Sequence, residues 1–247
     1  MTRPPRVRTL VCASVVGGGV LLAACGDAEP KAQSPTTTTV PEPKDFSGYV
    51  RSPVLNVSSV TLPDVDGNPV NFVAEPDGLR LVYFGYTMCP DVCPATLSYL
   101  KKALAAQPEA DRDRVQVDMI TVDPHRDTPE KFAKYVSRFF PDGTAIRTED
   151  RKLLYSAAEE FGAEFRIKIN EEGDKEVSHT ADLYVIDDTG TIVLAWPFGT
   201  SQPDIERDLT RLLAGERPAV DPPAETPSTD KPAATTPPAS SGETDDQ

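Results

Sequence analysis

Apolar residues fall into short runs at two different spacings, and the alternation between those spacings predicts a layered α/β domain. Residues 57–62 and 69–73 alternate weakly on either side of Asp64-Val65-Asp66-Gly67-Asn68, which predicts an N-terminal β-hairpin turned at Asp-Gly. Residues 79–86 and 115–122 are apolar runs of buried-strand length. Between them, 95–106 sets Leu97, Leu100 and Leu104 at helical spacing, with Lys101 and Lys102 on the other side. Thr128-Pro129-Glu130 reads as an N-cap, a proline in the first turn and an early acid. That helix should run to Phe140 and end at Pro141-Asp142-Gly143. Residues 150–161 form a further amphipathic helix with Leu153, Leu154 and Phe161 inward and Gly162 just past its end. Residues 163–169 are strand-like and lead into a polar loop over 170–176. Runs at 183–186 and 191–196 flank Asp187-Asp188-Thr189-Gly190, a second hairpin signal, and 204–213 closes the pattern as a helix. The sum is a mixed central sheet flanked by helices, without internal repeats.

The ends break the pattern. Arg3, Arg6 and Arg8 precede an apolar run over 10–24 that is interrupted by Gly17-Gly18-Gly19 and is short for a membrane-spanning helix, which favours a signal peptide. Its end, Leu21-Leu22-Ala23-Ala24-Cys25-Gly26, resembles the bacterial lipobox, in which the cysteine is acylated and becomes the first mature residue. Residues 1–24 are therefore expected to be a lipoprotein signal peptide and Cys25 the lipid anchor. Prolines crowd both termini, and 25–48 is too poor in apolar residues to fold, so it reads as a tether. About 20 flexible residues reach roughly 25 Å. The domain is expected over 49–216 and a disordered acidic Pro/Thr-rich tail over 217–247. A net charge of -14 argues against nucleic acid as a partner and against tight binding to anionic lipid.

Of four cysteines, Cys12 leaves with the signal peptide and Cys25 is the anchor, so Cys89 and Cys93 are a working pair. They lie four apart where a strand gives way to a helix, which places both sulfurs on one side. The amides and dipole of a helix N-terminus favour thiolate there. Thiolates serve both soft metals and disulfide exchange. Far downstream, His179 stands just ahead of the apolar run 183–186, and two sulfurs with an imidazole make a plausible soft-metal site. Copper and zinc both fit such donors. A static disulfide across so short a loop would stabilise little. A thiol–disulfide reductase without metal, and a surface-displayed binding module with inert cysteines, remain the rival readings.

Three ordered motifs carry a family resemblance: Gly85-Tyr86-Thr87-x-Cys89-Pro90-Asp91-x-Cys93-Pro94, then Thr121-Val122-Asp123-Pro124-x-Arg126-Asp127-Thr128-Pro129, then His179-Thr180 before Tyr184. Over about residues 54–213 the chain resembles the Sco/SenC family. The resemblance implies a thioredoxin-like fold and copper, as Cu(I) or Cu(II), held by Cys89, Cys93 and His179. It implies a copper chaperone for the dinuclear copper site of cytochrome c oxidase, with that oxidase subunit as partner and other copper chaperones or thiol reductases alongside. The alternative it leaves is a membrane-tethered thiol–disulfide oxidoreductase using Cys89 and Cys93 as a redox pair. Asp123 reads either as a cap for its loop or as a metal-proximal group, behind the ligands or a weak fourth ligand. His125 is expected to face solvent, Tyr86 and Asp91 to shape the loop, and Trp196 and Phe198 to be core or rim.

Overall fold

The computed structural model describes residues 45–171 and 173–219. The signal peptide expected at 1–24, the anchor Cys25, most of the tether and most of the tail lie outside the described residues.

Strand β1 (Thr61–Pro63) pairs antiparallel with β2 (Pro69–Asn71), forming the expected N-terminal hairpin in shortened form. A buried run, β3 (Leu79–Gly85), leads through a tight loop into α1 (Val92–Ala106) and a four-residue helix α2 (Glu109–Arg112). Then follow β4 (Val115–Thr121), α3 (Pro129–Phe139), β5 (Thr144–Ile146) and α4 (Arg151–Glu160). The chain continues through β6 (Phe165–Ile169), β7 (Lys175–His179), β8 (Leu183–Ile186), β9 (Ile192–Trp196) and α5 (Gln202–Leu213). The central sheet has the order β5-β4-β3-β8-β9. Its β3–β4 and β4–β5 pairings are parallel, and its β3–β8 and β8–β9 pairings antiparallel. With helices packed on it, this is the thioredoxin-like architecture that the resemblance implies.

Local chemistry explains the boundaries. Thr128 caps α3 through the Lys131 amide, with Pro129 in the first turn. Asp150 caps α4 by accepting from Lys152 N and Leu153 N. Gly162 follows α4 at φ +62, a left-handed angle that a β-carbon disfavours. Two expectations are corrected. Leu153 is 39% exposed, and Ala157 and Ala158 fill the inward face with Leu154 and Phe161. The expected polar loop over 170–176 ends early: its last two residues, 175 and 176, open β7, which pairs with β6 as a separate antiparallel ribbon. The alternation there is mostly polar because one face of the ribbon meets solvent.

Side chains alternate across the sheet. On one face Leu81 and Tyr83 look towards α1, which packs against α3 and α5. On the other, Phe84 and Tyr184 meet Phe161 edge-on at centroid distances of 5.2 and 5.6 Å, and Phe72 of the hairpin joins them at 5.0 Å. Trp196 is buried, as expected, and its Nε1–H donates to Asp208 at 2.9 Å, while the same carboxylate takes the Ser47 amide at 2.8 Å. Phe198 is exposed, at the rim. Among the described residues no helix is long and apolar enough to cross a membrane.

Asp118 on β4 is fully buried, 3.2 Å from Arg80 Nη1. Burial outweighs the arginine and raises the carboxyl from 3.8 to about 6. A carboxyl raised on folding stabilises the fold in its protonated form, so the contribution is complete below the unfolded value and is lost as pH rises through the folded one. Asp118→Asn is therefore expected to gain stability on the parent between about pH 4 and pH 7, by about 2–3 kcal/mol. Urea unfolding followed by Trp196 fluorescence checks this, and a difference that does not vary with pH would contradict it.

Candidate metal centre

At Gly85 the chain leaves the sheet and turns through Tyr86 and Thr87 before entering α1. Asp127 fixes that exit: its buried carboxylate accepts the Thr87 amide at 3.1 Å and the Thr121 hydroxyl at 2.7 Å. Asp91 shapes the loop as expected, capping α1 by accepting from Val92 N at 2.7 Å. Cys89 therefore precedes the helix and Cys93 sits in its first turn, so only Cys93 is helical. Both still face one side, because the Cys93 amide donates to Cys89 Sγ at 3.3 Å. A negative sulfur strengthens such a contact. Cys89 is half-buried and Cys93 fully buried, and both are free thiols. The expectation of a helix-favoured thiolate fails at Cys93. Burial outweighs the helix N-terminus and pushes that thiol from 9.0 up to about 12.

Gly85 makes room for the pair. A β-carbon there would stand 2.8 Å from Met119 Cε, 2.9 Å from Tyr83 Cε1 and 3.1 Å from Cys93 Sγ.

The third donor arrives on a different element. His179 ends β7, paired with Phe165 of β6, and its ring enters between Tyr83 and Tyr86. Both tyrosines meet it edge-on, with centroids at 6.0 and 5.8 Å. Nδ1 lies 2.9 Å from the Thr180 carbonyl oxygen, which only accepts, so Nδ1 carries the proton and Nε2 keeps its lone pair. Nε2 lies 3.6 Å from Cys93 Sγ. Burial lowers the histidine's proton affinity and keeps the ring neutral, the form that ligates. One donor atom from each of Cys89, Cys93 and His179 lies within 4.8 Å of the others. Among the described residues, theirs is the one cluster of this kind.

Asp123 is buried but points elsewhere. Its carboxylate pairs with Arg126 and, at 3.0 Å, with Lys175 Nζ. The Arg126 guanidinium lies over the Tyr86 ring at 5.8 Å, and Tyr86 in turn flanks His179. Asp123 thus fastens the first residue of β7, whose last residue is His179, to the loop after β4. It stands behind the donors, outside their cluster. His125 is exposed, as expected.

The donor set suits a soft metal, with two sulfurs from one loop–helix junction and a nitrogen fixed in its tautomer from a remote ribbon. A metal held there would displace the Cys93 proton, so its binding would strengthen as pH rises. Tyr83, Asp127, Arg126 and Lys175 were not singled out as functional by sequence. Arg126 and Asp127 lie inside the second motif, the one available signal, and Lys175 is hidden in a polar stretch.

Comparison with known proteins follows the same outline. The family described as SCO1/SenC matches residues 55–214. A SCO2-like protein of Rickettsia prowazekii is 32% identical over 115 residues, 45% of this chain and 55% of that protein. The chain spans about half the length of most of the curated relatives it matches. Among solved structures, apo Sco1 of Thermus thermophilus is 32% identical with a TM-score of 0.59, over 68% of this chain and 96% of that one. ScoI of Bradyrhizobium japonicum, solved with copper bound, is 30% identical with a TM-score of 0.53, over 62% and 96%.

Proposed function

Since this chain belongs to the SCO1/SenC family, we propose that it is a copper metallochaperone assisting assembly of the dinuclear copper site of cytochrome c oxidase. In this reading residues 1–24 are the signal peptide, and acylated Cys25 holds the chain to the extracytoplasmic face of the cell membrane. Residues 25–48 are the tether, 49–216 the working domain and 217–247 an acidic tail. Cys89, Cys93 and His179 hold the cargo copper, and the oxidase subunit that bears the dinuclear site receives it.

One observation carries the reading: two thiols and an imidazole nitrogen, brought from residues 89, 93 and 179, converge within 4.8 Å. The copper bound in the Bradyrhizobium relative supports copper over zinc, as does the preference of Cu(I) for a thiolate pair. The protein's part is to leave Cys89 and the His179 ring partly accessible, keep Cys93 under cover, and hold the Nδ1 proton on Thr180. Loading releases thiol protons to solvent; unloading passes the metal to the partner's sulfurs by ligand exchange.

The half-exposed Cys89 supports the second reading, a thiol–disulfide oxidoreductase in which that sulfur attacks and Cys93 resolves. Titration of the reduced protein with Cu(I) under anaerobic conditions, against a competing chelator, separates the two. The chaperone reading expects one tightly held copper per chain, lost in Cys89→Ser and in Cys93→Ser. Rapid turnover of a disulfide substrate, with no copper retained against the chelator, would overturn it.

A further inference from the structure

Tyr83 on β3 is completely buried, yet its hydroxyl finds no hydrogen-bond partner among the protein groups. An unpartnered buried hydroxyl is costly, and a phenylalanine would fill the same ring space without it. The fold alone does not account for that oxygen; its surroundings do. Tyr83 Cε1 and Cys93 Sγ approach to 2.9 and 3.1 Å of the single point where a β-carbon on Gly85 would stand. The ring also meets the His179 imidazole edge-on, at 82° and 6.0 Å.

We propose that the Tyr83 hydroxyl is a positioning group for the metal-loaded state, donating a hydrogen bond to Cys93 Sγ once that sulfur is a thiolate. The inference rests on the copper reading above. A thiol is a weak acceptor and leaves the hydroxyl idle. When metal replaces the thiol proton, which goes to solvent, the sulfur becomes a strong acceptor, and the phenol hydrogen stays on its own oxygen. A donor to a copper-bound thiolate draws electron density from the sulfur and so favours Cu(I) over Cu(II).

The test compares Tyr83→Phe with Tyr184→Phe, which removes another buried, unpartnered hydroxyl from the opposite face of the sheet. Metal-free Tyr83→Phe is expected to resist urea at least as well as the parent. Its affinity for Cu(I) should fall about tenfold, and the sulfur-to-Cu(II) charge-transfer band should move to lower energy. Tyr184→Phe should shift neither. Parent-like affinity and band position in Tyr83→Phe would overturn the inference and leave the copper reading standing. Loss of metal-free stability in Tyr83→Phe would also overturn it, by making the hydroxyl structural. A parent protein that binds no copper would overturn the reading and this inference together.

Discussion

His179→Ala is expected to bind Cu(I) more than a hundredfold more weakly than the parent in competition with a chelator, while its metal-free form stays folded. Changes to groups behind a ligand typically cost 10–100-fold in affinity, and loss of a ligand should exceed that. A hundredfold corresponds to about 2.7 kcal/mol. The geometry argues for a loss this large because nothing nearby can replace the nitrogen. Nε2 is the atom aimed at Cys93 Sγ, at 3.6 Å, and the carboxylate of Asp123 is committed to Arg126 and Lys175. Cu(II) should suffer more than Cu(I), since two thiolates alone satisfy the softer ion better. The urea midpoint of the metal-free variant should fall modestly, by the packing lost against Tyr83 and Tyr86 and the one hydrogen bond to the Thr180 carbonyl, with the cooperative transition kept. Parent-like affinity for both oxidation states would mean that two sulfurs suffice.

Asp123→Asn should weaken both fold and site without changing the ligands. The carboxylate is fully buried, whereas Arg126 and Lys175 are partly exposed. Its loss should therefore cost less than the 3–5 kcal/mol of breaking a fully buried pair, or about 2 kcal/mol. It should also loosen Lys175, four residues before His179 on the same strand, and free the Arg126 guanidinium from Tyr86. Copper affinity is expected to fall about tenfold. Amide exchange in β7 should accelerate, and the charge-transfer spectrum of the Cu(II) form should keep its shape. A changed spectrum would make Asp123 a ligand. Unchanged affinity alongside faster exchange would mean that fastening the ribbon is irrelevant to the metal.

The two carboxylates of the second motif show where sequence reading reaches and where it stops. Asp123 and Asp127 are visible in the sequence as members of a dense polar motif, but their partners are not. Lys175 is 52 positions from Asp123, and Thr87 is 40 from Asp127. Pairings of that kind exist only once the sheet has assembled. Local patterns fared better wherever one residue's chemistry fixes one conformation. The Thr128 cap with Pro129, Gly162 past the end of its helix and the Asp187–Gly190 turn all lie where expected. The missed β7 has only Val177 as an apolar residue, because its outward face needs none, and β5 is three residues long, too short for any period. The convergence of Cys89, Cys93 and His179 was legible through their motifs. The burial that raises Cys93 was not, since the prolines beside it suggest an exposed loop, while the fold lays α1 over it. Tyr83 was hidden for a related reason. In a buried strand its ring is unremarked core, and only the geometry exposes an idle hydroxyl.

X-ray absorption at the copper edge of the Cu(I)-loaded protein tests the central claim most directly. Two sulfur neighbours and one imidazole nitrogen around the metal are expected in the parent, and two sulfurs without the nitrogen in His179→Ala. An imidazole signal that survives in His179→Ala, or a parent shell with fewer than two sulfurs, would contradict a site built from Cys89, Cys93 and His179.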